Sequence, residues 1–432
     1  MGNELRNPNI ILYLIGTFFS SAGWSVWGYS LLSNVIYLIT TSSLKVGYAE
    51  GIQGVISSVL AIPFGILADK WCRHGVGKIG LIVGIISSAG LIAVLFIGMV
   101  ITKDELYWIL FGSLALYGVS TGVESSALAT MFTNSVPTGS RSAWLSYLQI
   151  CSALGTCCGP AVAAIILKTL GDIWTLHDMI LPWTVALSMQ ILSCFIYFPM
   201  HDKWCLADES MGNITLKRPN KQWKCLHTRH IPYLCTVLDC VFGLASGMSS
   251  KFFPLFFEYE VGYSPLELQL LFVGSFGMIV PFTFVAKRVA DKLGRVQALL
   301  LLLYLGLTFL LVIVVGKGHY WDNKWIIGIA YVFRAGLMNS PTALHRSIVD
   351  DYVDSDKRGC WNSLEFVFVL GWSGSAMLGG LLVESVGYQY TFLITLVMQF
   401  VSISLYWLLI PLVERKEYIL EEINEIEPLL VN

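Results

Sequence analysis

Charged residues are scarce in this sequence. Asp, Glu, Lys and Arg make up 13% of its 432 residues, whereas hydrophobic residues make up 55%, and the mean hydropathy is +0.68. A soluble protein carries about 25% charged residues, so this chain has too few to cover a surface that faces water. We therefore expect an integral membrane protein. The net charge of −2 gives no indication of nucleic-acid binding.

Common motifs of catalysis and cofactor binding are also missing. The sequence contains no Gly-x-x-x-x-Gly-Lys-Ser/Thr phosphate-binding loop, so nothing in it indicates an ATP-driven pump. It contains no His-Glu-x-x-His metal-binding motif either. Five His and Cys residues gather in one polar segment, but at irregular spacing: His201, Cys205, Cys225, His227 and His230. We predict no enzyme activity, no catalytic residue, no cofactor and no bound metal.

Long apolar runs recur along the whole chain. About 20 apolar residues cross a bilayer as a helix, and we count twelve such runs: 10–39, 46–68, 79–101, 106–131, 142–168, 180–199, 231–257, 265–287, 297–316, 325–348, 361–383 and 389–410. The fold class is therefore an all-α polytopic membrane protein with twelve transmembrane helices. The expected domains are a six-helix bundle at 1–200, a cytosolic central loop at 201–230, a second six-helix bundle at 231–411 and a cytosolic tail at 412–432.

The basic residues are distributed unevenly between the two sides of these helices. Of the 27 Lys and Arg residues, two lie within the predicted spans and 20 lie on the side of both termini. Only five lie in loops of the opposite side: Lys45, Lys103, Lys168, Lys317 and Lys324. Basic residues concentrate in cytosolic loops, so we predict a multi-pass protein with both termini in the cytosol.

The two halves of the chain repeat each other. At an offset of 217 residues, Trp108 aligns with Trp325. Four further pairs then align at matching helix boundaries: Val136 with Val353, Arg141 with Arg358, Trp144 with Trp361, and Ser146 with Ser363. Each repeat contains an even number of helices, so both enter the membrane in the same direction. We expect parallel repeats about an axis along the membrane normal.

The sequence Ala-Asp-Lys occurs twice, each time where an apolar run ends. The first copy, "GILADKWCRHG", contains Gly65, Asp69, Lys70 and Arg73; the second, "RVADKLGRVQ", contains Asp291, Lys292, Gly294 and Arg295. Together they resemble the loop signature Gly-x-x-x-Asp-Arg/Lys-x-Gly-Arg-Arg/Lys of the major facilitator superfamily. The departures are Cys72 and His74 in the first copy and Lys287 in the second. The resemblance covers essentially the whole chain and implies two pseudo-symmetric six-helix bundles.

In this family the signature forms a gate between the bundles. The resemblance implies that Asp69 meets the start of the eleventh helix and Asp291 the start of the fifth, where exposed N–H groups carry partial positive charge. Arg73 and Arg295 would bridge to neighbouring loops. Lys70, Lys292, Arg141 and Arg358 belong to the same predicted gate. The alternative is that Lys70, Arg73 and Lys78 are only topology anchors, and we favour it for these two lysines.

The fifth helix contains a second motif, "GTCCGPAVAA". Gly155, Gly159 and Pro160 match the antiporter signature Gly-x-x-x-Gly-Pro-x-x-Gly-Gly of the same family, while Ala163 and Ala164 do not. Small residues at this spacing allow close helix contact and a bend. Helix packing is therefore an equal alternative to a role in antiport. The fourth helix lacks the arginine that serves proton coupling in many members, so proton coupling stays open.

Ionisable residues inside a membrane are costly and mark transport pathways. Seven lie within the spans: Glu50, Glu124, Asp239, Lys251, Arg334, His345 and Glu365. The resemblance implies that helices one, four, seven and ten line the cavity. We therefore predict a substrate and coupling site with these members: Glu124, Asp239, Lys251, Arg334, Trp24, Trp27 and Asn34. Two cations would hold an anionic group of the substrate and two carboxylates would carry a proton or meet a cation. Interhelical ion pairs, or a Lys251 that snorkels, are the alternatives.

We predict a secondary transporter that moves a small organic solute through a lipid bilayer by alternating access. The alternative is a non-transporting membrane sensor or scaffold on the same fold. Near the end of the chain, Glu425, Leu429 and Leu430 resemble the acidic dileucine signal read by cytosolic sorting adaptors, although so short a pattern also arises by chance. Endosomal, lysosomal, vacuolar and plasma membranes all stay open as locations.

Overall fold

The computed structural model describes residues 7–98, 101–137, 141–206, 222–223, 226–353 and 365–413. Ten helices in this part of the chain are long and apolar enough to cross a membrane. The six of the N-terminal half are α1 (Pro8–Thr40), α2 (Ser43–Lys70), α3 (Arg73–Ile97), α4 (Lys103–Ser135), α5 (Arg141–Leu170) and α6 (Leu176–Tyr197). They correspond one to one to the first six predicted spans.

The C-terminal half begins with α7 (Thr228–Tyr259), α8 (Pro265–Leu293) and α9 (Arg295–Val315). The tenth predicted span is two helices, α10 (Lys324–Asn339) and α11 (Thr342–Tyr352), because Pro341 cannot continue a helix from the preceding turn. The helical run Glu365–Leu405 breaks at Gly387 into α12 (365–386) and α13 (388–405). The all-α polytopic class is confirmed, and the helices are consistent with twelve spans.

One short β-ladder lies in the central segment. Strand β1 (Gln222–Trp223) pairs antiparallel with β2 (Leu226–His227), with Gln222 opposite His227. It is too short to change the fold class.

Hydrogen-bonding side chains define where the helices of one face begin. The Thr102 hydroxyl and the Glu105 side chain form a capping box at the start of α4, and Ser264 and Glu267 form another at α8. Each pair satisfies N–H groups that have no partner within the helix. We call this face, which contains the starts of α2, α4, α6, α8 and α10, the far face. The opposite face, where α1 begins and α13 ends, is the termini face.

Two helices contain a π-helical turn in their middle. The turn spans Trp27–Leu31 in α1 and Glu124–Leu128 in α4. Single π turns inside α-helices occur frequently at functional sites. Both helices belong to the set predicted to line the cavity.

Small residues let α5 pack closely on α1. A Cβ atom added at Gly159 would lie 2.1 Å from the Ala22 carbonyl oxygen, and one at Gly155 would lie 2.3 Å from that of Phe18. Only glycine fits at these distances. Pro160 lies inside α5 one residue later. The motif at Gly155, Gly159 and Pro160 therefore packs two helices of one half together, which is the alternative to an antiport signature.

Candidate functional site

A buried ion pair joins the two halves. Lys251 Nζ of α7 lies 3.0 Å from Glu50 Oε2 of α2, and the two side chains are 2% and 1% exposed. The ammonium also lies over the rings of Trp24 and Trp372, 5.1 and 4.8 Å from their centroids. Taking two charges out of water costs several kcal/mol per ion, and close pairing with added hydrogen bonds offsets that cost. Neither charge can be released here without its partner becoming isolated.

A serine of α1 completes this pair. Ser33 Oγ lies 2.9 Å from Glu50 Oε1 and 2.7 Å from the Lys251 carbonyl oxygen. Glu50 lies seven residues from the start of α2 and Lys251 eight residues from the end of α7, so they lie about 10.5 and 12 Å inside the far face at a rise of 1.5 Å per residue. Lys251 therefore does not snorkel to the membrane surface. It forms an interhelical ion pair instead.

Further polar contacts also join the two halves. Gln269 Nε2 of α8 donates to Ser30 Oγ of α1 at 2.9 Å. The Glu384 carboxylate of α12 accepts from Ser42 Oγ and from the Leu44 N–H, both at 2.8 Å. Between the loops, Trp174 Nε1 donates to the Tyr263 carbonyl oxygen at 2.8 Å. The two halves are thus closed against each other at the far face.

Arg334 of α10 lies at the interface of the halves, below this closure. Its guanidinium carbon is 4.9 Å from the centroid of the Phe253 ring. The hydroxyl groups of Tyr29 and Tyr331 are close enough to interact with it electrostatically, and Tyr29 belongs to the N-terminal half. Arg334 Nε is buried without a hydrogen-bond partner. Among the described residues, no carboxylate forms an ion pair with this guanidinium.

Asp239 lies on α7 in a cluster within the C-terminal half. Its Oδ2 is 3.5 Å from His345 Nε2 of α11, and its Oδ1 accepts a hydrogen bond from the Tyr406 hydroxyl at 3.1 Å. Its side chain is 35% exposed and that of His345 15%. A carboxylate beside an imidazole in a membrane is a group that can hold a proton.

Glu124 lies on the opposite half, at the first residue of the π turn in α4. The phenol rings of Tyr13, Tyr117 and Tyr197 surround it, and Tyr197 lies within hydrogen-bonding reach of its carboxylate. Tyr13 and Tyr197 are in ring contact at 5.4 Å. No basic residue of the described chain forms an ion pair with Glu124.

The three predicted site residues of α1 have different surroundings. Trp24 is partly exposed and lies under the Lys251 ammonium. Trp27 is fully buried in the N-terminal half, against Trp183 and Tyr117. Asn34 is fully buried, and neither atom of its amide group has a hydrogen-bond partner. Only Trp24 is therefore brought together with one of the predicted charged site residues.

The first copy of the predicted gate contacts the segment that follows α6. His74 Nδ1 lies 2.8 Å from Asp202 Oδ2, and its ring stacks on that of His201 at 3.9 Å. Gly65 is partly exposed, Lys70 is exposed, and Arg73 begins α3. The side chain of Asp69 lies outside the described part, so its predicted contact with the eleventh helix stays a prediction.

Burial and the adjacent His74 imidazole lower the pKa of His201. The group is therefore biased toward its neutral form. This short segment (His201–Trp204) lies at the termini face, where Asn7 Nδ2 donates to the Trp204 carbonyl oxygen at 2.7 Å.

The second copy of the gate forms a sharp turn between α8 and α9. Gly294 has φ of 107°, a conformation that favours glycine. Arg295 Nη1 lies 3.3 Å from both Oγ and the carbonyl oxygen of Ser347 on α11. Asp291 and Lys292 are exposed. The side chain of Arg141 and all of Arg358 lie outside the described residues, so the predicted bridges between the halves stay predictions.

Two other predictions fall partly or wholly outside the described chain. The sorting signal at Glu425, Leu429 and Leu430 is one, and Cys225 of the central segment is another. Within the residues that the structure covers, no group of three or more His, Cys, Asp or Glu side chains is arranged to hold a metal.

Sequence reasoning missed the partner of Lys251. Glu50 was recognised as an intramembrane charge, but it lies on the second helix, which is not in the predicted cavity set. The available signal was that Glu50 and Lys251 lie at nearly equal distances, seven and eight residues, from the ends of their helices at the far face. Tyr29 and Tyr331 were also missed, since tyrosines at such spacings occur in many membrane helices.

Comparison with known proteins places this geometry in a family. The chain matches the family model of the Major Facilitator Superfamily over residues 13–360 and 235–430, and no curated protein gives a significant match. Similar solved structures include the xylose transporter XylE from E. coli in a partially occluded inward-open conformation (12% identity, TM-score 0.69, 94% of this chain and 97% of that one). The nucleoside transporter NupG has 12% identity and a TM-score of 0.63, covering 93% and 100%.

A bacterial homologue of the iron transporter ferroportin in an inward-facing state has 15% identity and a TM-score of 0.66, covering 92% and 97%. Identities this low show a shared fold alone. The family match extends over residues of both halves, and the structure is that of an all-α polytopic membrane protein. This chain belongs to the Major Facilitator Superfamily.

Proposed function

We propose that the chain is a secondary transporter that moves a small organic solute by alternating access. The observation that carries this proposal is the closure of the far face by polar contacts between helices of the N-terminal half and helices of the C-terminal half. Such contacts can break and re-form when groups of helices move relative to each other. Ionisable groups at the interface of α1, α7, α8 and α10 fit a solute pathway near the membrane midplane.

The orientation of the protein is part of this proposal. The excess of Lys and Arg at the termini face supports a cytosolic location for both termini. Asp69, Asp291 and the associated basic residues would then form the cytosolic gate. Glu425, Leu429 and Leu430 would be accessible to a cytosolic sorting adaptor. Labelling of an epitope at residue 432 in sealed vesicles tests this, and protection of the epitope in right-side-out vesicles is the expected result.

Proton coupling is supported by two separate groups. Asp239 faces His345 in the C-terminal half, and Glu124 lies among tyrosines in the N-terminal half. A proton-driven cycle needs an intramembrane group whose protonation changes as the halves move. Asp239 and Glu124 are the two candidates for that group.

The test combines ligand screening with flux. A thermal-shift screen of the purified protein identifies stabilising solutes, whose uptake is then measured in proteoliposomes with and without a proton gradient. We expect saturable flux that Arg334→Ala abolishes and that Asp239→Asn uncouples from the gradient. Asp104→Asn, on an exposed residue of α4, is the matched control. Absence of saturable flux for every stabilising ligand would favour a sensor or scaffold.

A further inference from the structure

Only one of the two predicted cations is free to bind a substrate. The Lys251 charge is neutralised by Glu50 at 3.0 Å, and both side chains are almost fully buried. A substrate carboxylate would have to displace Glu50 and leave that carboxylate unpaired in a region shielded from water. The penalty for an isolated buried charge is several kcal/mol. Lys251 therefore holds the halves together and does not bind an anion in this conformation.

Arg334 differs from Lys251 in both its pairing and its exposure. Within the described chain it has no ion-pair partner, its Nε is buried without a hydrogen bond, and its side chain is partly exposed. It lies at the interface of the halves, since Tyr29 of α1 and Phe253 of α7 are both beside it. An uncompensated guanidinium in a membrane protein is costly. An anion is the ligand that removes this cost.

The surroundings of Arg334 indicate what else the anion contains. The Phe253 ring packs on the guanidinium carbon at 4.9 Å and on the Tyr331 ring at 4.8 Å. Tyr29 lies against Phe272 and Phe276 of α8, at 5.3 and 5.5 Å. Phe253 and Phe272 are fully buried and Tyr331 is 2% exposed, so these rings form an aromatic wall around the guanidinium, whereas an inorganic anion would require several polar donors. The ligand is therefore organic, with an apolar or aromatic body.

The charge of the ligand follows from the count of available cations. With Lys251 paired, Arg334 is the one described cation of the central interface without a carboxylate partner. One guanidinium can bind one carboxylate through two parallel hydrogen bonds.

We propose that Arg334, with Tyr29, Tyr331 and Phe253, is a binding site for an organic monocarboxylate that has an apolar or aromatic body. This substrate class rests on the proposed transport function, but binding at the site is independent of transport. Arg334 in α10 corresponds to Tyr117 in α4 at the repeat offset of 217 residues. An anion site in the C-terminal half accounts for this difference between the two halves.

The test uses three acids and their primary amides as probes: benzoate, phenylacetate and indole-3-acetate. Thermal stabilisation of the purified protein is titrated with each, and succinate serves as a dianion. We expect at least one acid to bind about tenfold or more tightly than its amide, because a hydrogen-bonded charge contributes about 1.5–3 kcal/mol. Succinate should bind no better than benzamide. If none of the acids is preferred over its amide, the proposal is overturned.

The variants assign the preference to the residue. Arg334→Gln should abolish the difference between acid and amide, and Arg334→Lys should restore part of it because charge returns without the planar fork. Arg288→Gln removes the same charge from an exposed position of α8 and should leave the difference unchanged. An acid preference that persists in Arg334→Gln would place the anion elsewhere and refute the site.

A second measurement does not depend on folding of the variant. Phenylglyoxal modifies guanidinium groups, and mass spectrometry of the wild-type protein reports modification of Arg334. The acid that binds best should slow this modification, and its amide should not; equal rates would contradict the site.

Flux in proteoliposomes separates the two proposals. Acid binding without flux would refute transport alone, and flux of neutral solutes that Arg334→Gln leaves intact would refute the anion site alone.

Discussion

The Lys251–Glu50 pair shows how two costly residues become compatible with a membrane interior. Each charge is buried, and each is stabilised mainly by the other. Removing one of them leaves the second isolated, whereas removing both leaves only polar or apolar groups of similar size. Removing one charge of the pair should therefore lower the stability of the folded protein much more than removing both charges.

We expect Lys251→Met to lower the free energy of unfolding by roughly 3–5 kcal/mol, because Glu50 stays charged and buried. The double variant Glu50→Gln/Lys251→Met should recover most of that loss. Thermal unfolding in detergent measures both. Lys324→Met is the control, since Lys324 pairs with Glu267 at a partly exposed position and should cost about 1 kcal/mol or less. Equal destabilisation by the single and double variants would contradict this account.

At this scale the sequence predicted which residues are charged inside the membrane but not how they pair. Asp239, Lys251 and Arg334 were placed within spans from hydropathy alone. That Lys251 faces Glu50 while Arg334 faces tyrosines depends on the rotation of α2, α7 and α10 about their axes. Neither hydropathy nor motif spacing determines that rotation.

At the scale of elements, close approach of helices depends on single glycines. A Cβ atom added at Gly159 would lie 2.1 Å from the Ala22 carbonyl oxygen, so even a methyl group has no room. Gly112 of α4 provides the contrast, because a Cβ atom there would meet nothing within 4 Å.

Gly159→Ala should therefore destabilise the protein by about 1–3 kcal/mol through overpacking. Gly112→Ala should be neutral or stabilise it by roughly 0.5–1 kcal/mol, since alanine favours the helix. Melting temperatures of the purified variants give the comparison. Similar melting temperatures for the two would show that α1 and α5 are not held at this distance.

The short segment after α6 is expected to respond to pH. His201 has a lowered pKa in the folded protein, and the groups that face it are His74, Asp202, Lys203 and Lys78. A base with a lowered folded pKa binds fewer protons than in the unfolded chain, so stability is complete above its ordinary pKa of about 6.5 and falls below it. The contacts of residues 201–204 with His74 and Asn7 should therefore weaken as the pH drops below that value.

Hydrogen exchange of a peptide covering 200–206, corrected for intrinsic rates, measures this at pH 7.5 and 5.5. We expect faster exchange at the lower pH in the wild type and a smaller change in His201→Asn. His177→Asn, at an exposed position of the far face, should behave as the wild type. An unchanged pH effect in His201→Asn would assign it to another group.

Most helices were predictable from apolar runs, and their departures have local causes. The predicted span 231–257 is α7 (Thr228–Tyr259), a difference of a few residues at each end. The predicted span 325–348 is divided at Pro341, a residue that ends helices. The π turns in α1 and α4 carried no signal, because an extra residue in one turn does not alter the hydropathy of a run.

At the scale of the whole molecule, closure of the far face is the state that the structure captures. Glu384 of α12 holds the start of α2 through two hydrogen bonds, and Ser30 is fully buried between the halves. Loss of the carboxylate charge weakens this connection, since charged acceptors bind about twice as strongly as neutral ones.

A cysteine at position 30 therefore reports opening. We expect Glu384→Gln to increase the rate at which a membrane-impermeant thiol reagent labels Ser30→Cys from the far face by several-fold. Asp104→Asn should not, because Asp104 pairs with Lys45 inside the N-terminal half. Labelling of the native cysteines is measured in parallel and subtracted. If Glu384→Gln leaves the rate unchanged, Glu384 does not hold the far face closed.

The similar depth of Glu50 and Lys251 has an electrical consequence. Because the two charges lie at similar depth, a separation in the plane of the bilayer moves neither of them along the membrane normal. A membrane potential does work of about 2.3 kcal/mol per 100 mV only on a charge that crosses the field. Breaking this ion pair should therefore be insensitive to voltage, so that any current during the cycle reports the solute, the coupling ion or Arg334 and not the opening of the far face.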